Sequence, residues 1–105
     1  MSWRGFAPRR LQGKLQPMEI TRLLLKLLLT RQYQLTEHAI ESMDEDGLTF
    51  NDILACMTHG RRRRSWPRQR KYEIQGYGLE DQRMRVVARL IQARIVRIIT
   101  MYEVK

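Results

Sequence analysis

The pattern of hydrophobic and polar positions divides the chain into a helical first half and a second half rich in strands. From Pro17 to about Arg31, leucines recur at the three- to four-residue spacing of a helix, and Pro17 suits the first turn. The apolar side chains cover more than one stripe of this helix, which predicts that it packs on two sides. The second side is either more of the domain's own core or an interface with a second copy of the chain or a partner protein.

Two shorter helices are predicted between residues 36 and 60. Thr36 is the N-cap of a helix over 37–44 that Gly47 ends, and Thr49 is the N-cap of a helix over 50–58. The positions predicted to face the core are Ala39, Ile40 and Met43 in the first helix, and Phe50, Ile53, Leu54 and Met57 in the second.

After Gly60 the period of the pattern changes from that of helices to that of strands. Residues 64–66 suit an extended segment, and 71–77, 84–90 and 94–104 suit strands. Strict alternation on the last strand puts Arg97 on one face and Thr100 with Tyr102 on the other. The two glycines in Gly76-Tyr77-Gly78 indicate a bulge or bend in the sheet. The order of elements predicts an α+β domain, in which two or three N-terminal helices pack on one face of an antiparallel sheet of three to four strands.

Positive charge is concentrated in one segment of the chain. The 105 residues carry a formal net charge of +9, and seven of the residues 61–71 are basic, whereas residues 32–60 contain six acids and no Lys or Arg. Because a dense basic segment with an interleaved tryptophan suits phosphates and unstacked bases, single-stranded RNA is the favoured partner. The residues predicted to bind RNA are Arg61, Arg62, Arg63, Arg64, Trp66, Arg68, Arg70 and Lys71.

The ends of the chain and its cysteine content set the expected surroundings. Residues 1–16 show no periodicity, and we predict that they form a flexible basic arm or were added to the native sequence, with a single domain over 17–105. Cys56 is the only cysteine, which excludes an intramolecular disulfide, and no apolar block is long enough to span a membrane. A cytoplasmic protein without membrane contact is expected. Cys56 and the two histidines are too few for a zinc site, so no cofactor is expected.

His38 is the residue best suited to move a proton. An imidazole can take a proton from the 2′-hydroxyl of RNA or give one to the leaving 5′-oxygen. Glu41 and Ser42 follow His38 by three and four residues on the predicted helix, so either could orient the ring. The alternative is a capping or half-buried histidine with no catalytic role.

Arginines and hydroxyl groups on the predicted strands complete the candidate site. A guanidinium fork binds two phosphate oxygens at once and can neutralise the charge that develops on a pentacoordinate phosphate. A hydroxyl group can bond a phosphate oxygen or position the attacking group. These candidates are Arg85, Arg89, Arg97, Thr100 and Tyr102. The alternatives are solvated surface charges and a tyrosine packed at the rim of the sheet.

Four short motifs, taken in order, resemble a known family. They are His38-Ala39, Gly60, the segment from Tyr72 to Gly76, and the closing sequence Ile-Ile-Thr-Met-Tyr at 98–102. This order is similar to that of a family of small bacterial proteins of unknown function, related to the RelE-, BrnT- and MqsR-like toxins of the barnase–EndoU–RelE group of ribonuclease folds. The resemblance covers residues 33–104.

The resemblance implies a RelE/barnase-like fold, in which helices pack on a curved antiparallel sheet. It also implies a metal-independent endoribonuclease or RNA-binding toxin, often encoded beside an antitoxin. By position, His38 would be the acid and base, and Thr100 and Tyr102 would line the sheet side of the site. Proteins of this kind commonly carry arginine where this chain has Ser42 and Asp46. Positive charge at those two places would therefore have to come from elsewhere, such as the arginine run.

Three functions are compatible with these observations. The leading one is a toxin–antitoxin-type endoribonuclease that needs no metal and leaves a 2′,3′-cyclic phosphate. The second is a non-catalytic protein that binds RNA or the ribosome. The third is an interaction module that docks an acidic antitoxin segment on residues 61–71. A homodimer through the leucine-rich helix over 17–31 is compatible with all three.

Overall fold

The structure, a computed structural model, describes residues 17–92 and 94–105. The elements follow one another as α1 (Pro17–Leu29), β1 (Tyr33–Leu35), α2 (Glu37–Asp46), α3 (Phe50–His59), β2 (Arg61–Trp66), a 3₁₀ turn (Pro67–Gln69), β3 (Lys71–Tyr77), β4 (Arg83–Ile91) and β5 (Ile95–Glu103). The predicted α+β class is confirmed. The predicted basic arm, residues 1–16, lies outside the described residues.

The caps of α2 and α3 are those that the sequence predicts. The Thr36 hydroxyl accepts a hydrogen bond from the backbone N–H of Ala39, and Gly47 ends α2 with a left-handed φ of 66°. Thr49 and Asp52 form a reciprocal capping box at the start of α3. Each helix extends slightly beyond its predicted end, because the last turn continues up to the glycine that follows.

The sheet has five strands in the order β1-β5-β4-β3-β2. The expectation of three to four antiparallel strands is wrong, because β1 pairs in parallel with β5 while the remaining neighbours are antiparallel. Three residues are too few to show an alternating pattern, and the pairing of Tyr33 with Val96 joins distant parts of the chain. Such a strand has no local signal in the sequence.

The core lies between the sheet and two of the helices. α1 and α3 contact each other on one face of the sheet, with α3 over β3 and β4, whereas α2 runs beside β5. α1 buries Ile20, Leu24, Leu27 and Leu28 in this core, while Leu29 is exposed. On α2 the prediction for Ile40 is wrong: the residue is 53% exposed, because a helix at the side of the sheet packs only a narrow stripe.

A bulge in β5 changes which side chains share a face. Thr100 pairs with Val87 but Ile98 pairs with the next residue of β4, so Ile99 is the extra residue. Val96, Ile98 and Met101 are buried in the core as a result. The strict alternation predicted for this strand is therefore wrong, and the bulge puts Arg97 on the same face as Thr100 and Tyr102.

Two glycines allow α3 to lie directly against β3. A Cβ atom at Gly76 would lie 2.5 Å from the carbonyl oxygen of Cys56, and one at Gly60 would collide with the same atom. β3 pairs with β4 in continuous register through Gly76, so the predicted bulge or bend there is wrong. Gly76 is needed instead for the close approach of α3 to β3. None of the helices described here is long and apolar enough to cross a membrane.

Candidate nucleic-acid interface

The sheet face opposite the core carries neither α1 nor α3, and we call it the open face. Its side chains pair across the strands in three rows. The tyrosine row consists of Arg61, Gln75, Arg85 and Tyr102. The threonine row consists of Arg64, Glu73, Val87 and Thr100. The tryptophan row crosses all five strands and consists of Trp66, Lys71, Arg89, Arg97 and Gln34.

The period of two in β4 produces much of this surface. Met84, Val86, Ala88 and Leu90 are buried, so the residues between them must point to the open face. The open face therefore contains five of the six residues predicted for catalysis, together with part of the basic segment. These five are the ones on β4 and β5: Arg85, Arg89, Arg97, Thr100 and Tyr102. The open face is a continuous basic surface.

Glu73 is the one acidic residue in the three rows. Its side chain is buried, and its Oε2 lies 2.8 Å from Nη1 of Arg63 and 3.8 Å from Nε of Arg85. A buried carboxylate between two guanidinium groups is neutralised and fixes their positions. Glu73 therefore organises the cations of the open face without making the surface acidic.

The three strand arginines are all held through the same atom. Nε of Arg85 donates to Oε1 of Gln75 at 2.9 Å, Nε of Arg89 to the Gln69 carbonyl at 3.1 Å, and Nε of Arg97 to Oε1 of Gln34 at 3.1 Å. No acceptor among the described residues occupies their Nη groups. The end of each guanidinium is thus left for a ligand, and it is the end that binds phosphate oxygens in pairs.

The polar partners of these arginines were missed at the level of sequence. Glu73 and Gln75 alternate on a strand that was predicted correctly, so their position on the polar face could have been found. Gln34 could not, because it lies on the short strand β1, which gives no periodic signal.

The arginine run is divided between the two sides of β2. Arg61 and Arg64 belong to the open face, whereas Arg62 pairs with the buried Ile74 and points to the other side. Arg63 sits at a register shift in β2 and reaches Glu73. Consecutive residues of a strand alternate between faces, so one ligand on the open face cannot use the whole run.

Trp66 already has two cations against its ring. The guanidinium carbon of Arg64 lies 5.1 Å from the ring centroid and Nζ of Lys71 lies 4.6 Å from it. These distances fit cation–π contacts, which orient the indole on the open face. Stacking of an RNA base on Trp66 stays a prediction, and it requires the base to share or displace these contacts.

His38 is exposed in the first turn of α2. It makes no hydrogen bond or ion pair with the described residues, so the predicted contacts with Glu41 and Ser42 do not form. Ser42 instead lies 3.1 Å from Thr100, hydroxyl to hydroxyl, and Asp46 accepts from the Glu103 backbone N–H at 3.0 Å. Residues 38 and 42 share a stripe of the helix, so His38 lies one turn from the contact with the threonine row.

Two ionisable groups near the core have perturbed pKa values and structural roles. Burial acts to raise the pKa of Asp52, but hydrogen bonds from the Leu79 and Thr49 backbone, the Thr49 hydroxyl and Gln82 outweigh it and lower the pKa. Burial raises the pKa of Cys56 to about 12, so its thiol is protonated at neutral pH. Within residues 17–92 and 94–105, no three His, Cys, Asp or Glu side chains group in a way that could hold a metal ion.

Comparison with known proteins agrees with the fold. Residues 35–103 match the family model described as "Domain of unknown function (DUF4258)". The structure is similar to the 1.1 Å crystal structure of the Brucella abortus ribonuclease toxin BrnT, with a TM-score of 0.54. The two chains are 12% identical over 70% of this chain and 95% of BrnT, so this likeness shows the fold alone. No curated protein matches the sequence.

Proposed function

We propose that this chain, which belongs to the DUF4258 family of domains of unknown function, targets single-stranded RNA and binds it on the open face. The observation that carries the proposal is the set of three arginines that are fixed through Nε and whose Nη groups have no acceptor among the described residues. Arginines held in this way lose little side-chain entropy when they bind phosphate. The single acid of the surface, Glu73, is already neutralised by Arg63.

A single strand suits the open face better than a duplex. Sequence-tolerant binding of single strands combines cations that follow the backbone with aromatic rings on which bases stack. The open face offers Tyr102 on β5 and Trp66 on the edge strand β2, with arginines on the strands between them. The similar fold of a protein named as a ribonuclease toxin supports RNA as the nucleic acid.

We further propose that the bound strand is cleaved beside α2 by transesterification. The 2′-hydroxyl attacks the adjacent phosphorus and loses its proton to the His38 imidazole. The bond from phosphorus to the 5′-oxygen breaks, and the leaving oxygen takes a proton from the imidazolium. The products are a 2′,3′-cyclic phosphate and a 5′-hydroxyl. Arg85 would neutralise the phosphorane, with Tyr102 beside it in the same row as a donor to a phosphate oxygen.

The test compares wild type, His38→Ala and His59→Ala on total RNA in the presence of EDTA. His59 is the matched control because it is the other histidine, is also exposed, and ends α3 without a side-chain hydrogen bond to the described residues. We expect cleavage by wild type and His59→Ala, with cyclic phosphate ends, and a loss of about 100-fold or more in His38→Ala. Equal cleavage by His38→Ala would remove this histidine from the mechanism.

A second candidate function is RNA or ribosome binding without cleavage. The observation that favours it is the structural use of Ser42 and Asp46, which attach α2 to β5 instead of supplying cations next to His38. This candidate predicts no cleavage by any of the three proteins. It also predicts RNA binding whose affinity falls steeply with salt.

An acidic antitoxin segment is the protein partner that the same surface would accept. Its carboxylates could occupy the Nη groups that we assign to phosphates, so antitoxin and RNA would compete. A polyglutamate peptide added to the RNA-binding assay tests this, because competition should disappear when the peptide is replaced by polyglutamine. Equal RNA binding with both peptides would argue against docking on the open face.

A further inference from the structure

A cleft opens at the end of the open face where β2 turns into β3 and β4 turns into β5. Its volume is about 450 Å³. Four arginines line it: Arg68 and Arg70 from the turn after β2, Arg89 from β4 and Arg97 from β5. None of the described residues that line it is acidic. The cleft therefore joins residues that the sequence assigned to two separate groups, RNA binding and catalysis.

The backbone and two hydrogen bonds hold the cleft in shape. Arg70 adopts a left-handed φ of 50°, and its carbonyl accepts from the Leu90 N–H at 2.8 Å, which ties the turn to β4. Arg89 donates through Nε to Gln69 in the same turn. The side chains of Arg68 and Arg70 have no hydrogen bond or ion pair within the described part of the chain. Two cations are thus fixed and two are available to close on a ligand.

The charge of the cleft selects the kind of phosphate that it would hold. Four guanidinium groups without an acid repel one another, and an anion that bridges them relieves the repulsion. A phosphate monoester carries about −1.5 to −2 charges at pH 7 and three oxygens that accept hydrogen bonds. An internal phosphodiester carries one negative charge. A monoester therefore matches the cluster better.

We propose that this cleft binds the terminal phosphate monoester of an RNA strand that lies on the open face. The inference rests on the proposed RNA binding and adds a preference for phosphorylated ends. The cleft lies where the rows of the open face stop, so the end of a strand can enter it while the rest follows the tryptophan row. Arg89 and Arg97 are then committed to the terminal phosphate, which leaves Arg85 for the scissile one.

The test measures the affinity of one fluorescent decamer of RNA, labelled internally, in three forms: 5′-phosphorylated, 3′-phosphorylated and without terminal phosphate. We expect one of the phosphorylated forms to bind wild type about tenfold or more tightly than the unphosphorylated form, since hydrogen bonds to charged groups are among the strong ones. The form that gains shows which end of the strand enters the cleft. A parallel series uses the same decamer with deoxyribose at every position. Because it has no 2′-hydroxyl groups, it cannot be cleaved by the proposed mechanism.

The double variant Arg68→Gln with Arg70→Gln should lose this preference and fold normally, because both side chains are exposed and unbonded to the described residues. Its matched control is Arg61→Gln with Arg83→Gln. Arg83 begins β4 two residues before Arg85 and so lies on the open face as well, and the control removes two open-face charges at the opposite end of the sheet. The control should bind all forms more weakly and keep the preference. Equal affinity of wild type for all three forms, or a preference lost equally in both doubles, would overturn the inference while RNA binding stands. Failure of every form to bind would overturn the proposed function as well.

Discussion

The two faces of β4 have opposite properties, one apolar and buried and the other charged, although their residues alternate along a single strand. Met84, Val86 and Ala88 are completely buried in the core, while Arg85 and Arg89 lie on the open face with no acceptor for their Nη groups among the described residues. One face supplies the hydrophobic stabilisation of the domain. The other carries repelling charges that cost stability and are useful only with an anionic ligand. Because successive side chains of a strand point to opposite faces, the residues of β4 that stabilise the fold and those proposed to bind a ligand lie on opposite sides of the strand.

Neighbouring valines on β4 give the sharpest test of this separation and the largest expected effect. Val86→Asp places a carboxylate in the completely buried core, which should cost several kcal/mol or more, a large part of a typical stability of about 5–15 kcal/mol. Val87→Asp places the same group on the open face, opposite the carboxylate of Glu73 and two residues from both Arg85 and Arg89, where we expect a smaller cost of about 1–2 kcal/mol. Urea unfolding measures both.

RNA affinity shows the effect of Val87→Asp on binding separately from its effect on stability. Val87→Asp should bind RNA weakly while remaining folded, because its carboxylate takes up the cations of the open face. A loss of stability in Val87→Asp as large as that in Val86→Asp would mean that the open face is packed against other parts of the chain.

Asp52 connects α3 to the turn between β3 and β4, and its substitution measures how much this connection stabilises the domain. Its folded pKa lies below the ordinary value of 3.8, so it contributes stability above its unfolded pKa and loses that contribution as the pH falls through its folded pKa. Asp52→Asn should therefore cost about 1–3 kcal/mol at pH 7 and less near pH 3. Asp44→Asn, an exposed acid on α2, is the control and should change stability by less than about 0.5 kcal/mol. A pH-independent loss in Asp52→Asn would contradict the role of the ionised carboxylate.

The salt dependence of RNA binding compares the two sides of the molecule at equal charge. For single strands, each phosphate contact contributes about 0.7 to the slope of log affinity against log salt, so Arg61→Gln with Arg83→Gln should reduce the slope by about 1.4. Arg22→Gln with Lys26→Gln removes two exposed cations from α1 and should leave the slope nearly unchanged. Equal changes in both doubles would show that only net charge matters and that the open face is no specific surface.

Local signals explain why much of the fold could be predicted. Thr36 and Thr49 as N-caps, Gly47 as a stop, and the alternation over Lys71–Tyr77 each act within a few residues. The parallel strand β1 and the bulge at Ile99 could not be predicted, since both depend on pairing between distant segments. The bulge has the greater consequence, because without it Arg97 would not share a face with Thr100.

The candidate site was predictable in composition and much less so in arrangement. Alternation identified Arg85 and Arg89 as polar-face residues of one strand. The sequence predicts one basic segment after Gly60, whereas the pleat of β2 turns Arg62 away from the open face. The cleft at the end of the sheet had no sequence signal at all, because it forms only when the turn that carries Arg68 closes beside β5.

The smallest expected effect is that the Cys56 thiol does not react with a thiol reagent, which tests how stably α3 packs on the sheet. Cys56 is completely buried where α3 meets β3, and its pKa of about 12 leaves only about one thiol in ten thousand ionised at pH 8. A thiol reagent such as Ellman's should therefore give no signal with the native protein and one thiol per chain in guanidinium. Rapid reaction under native conditions would mean that α3 separates from the sheet by local unfolding. If added RNA then slowed the reaction without touching Cys56, the ligand on one face would be stabilising the packing of the other, and the separation of folding from binding would be incomplete.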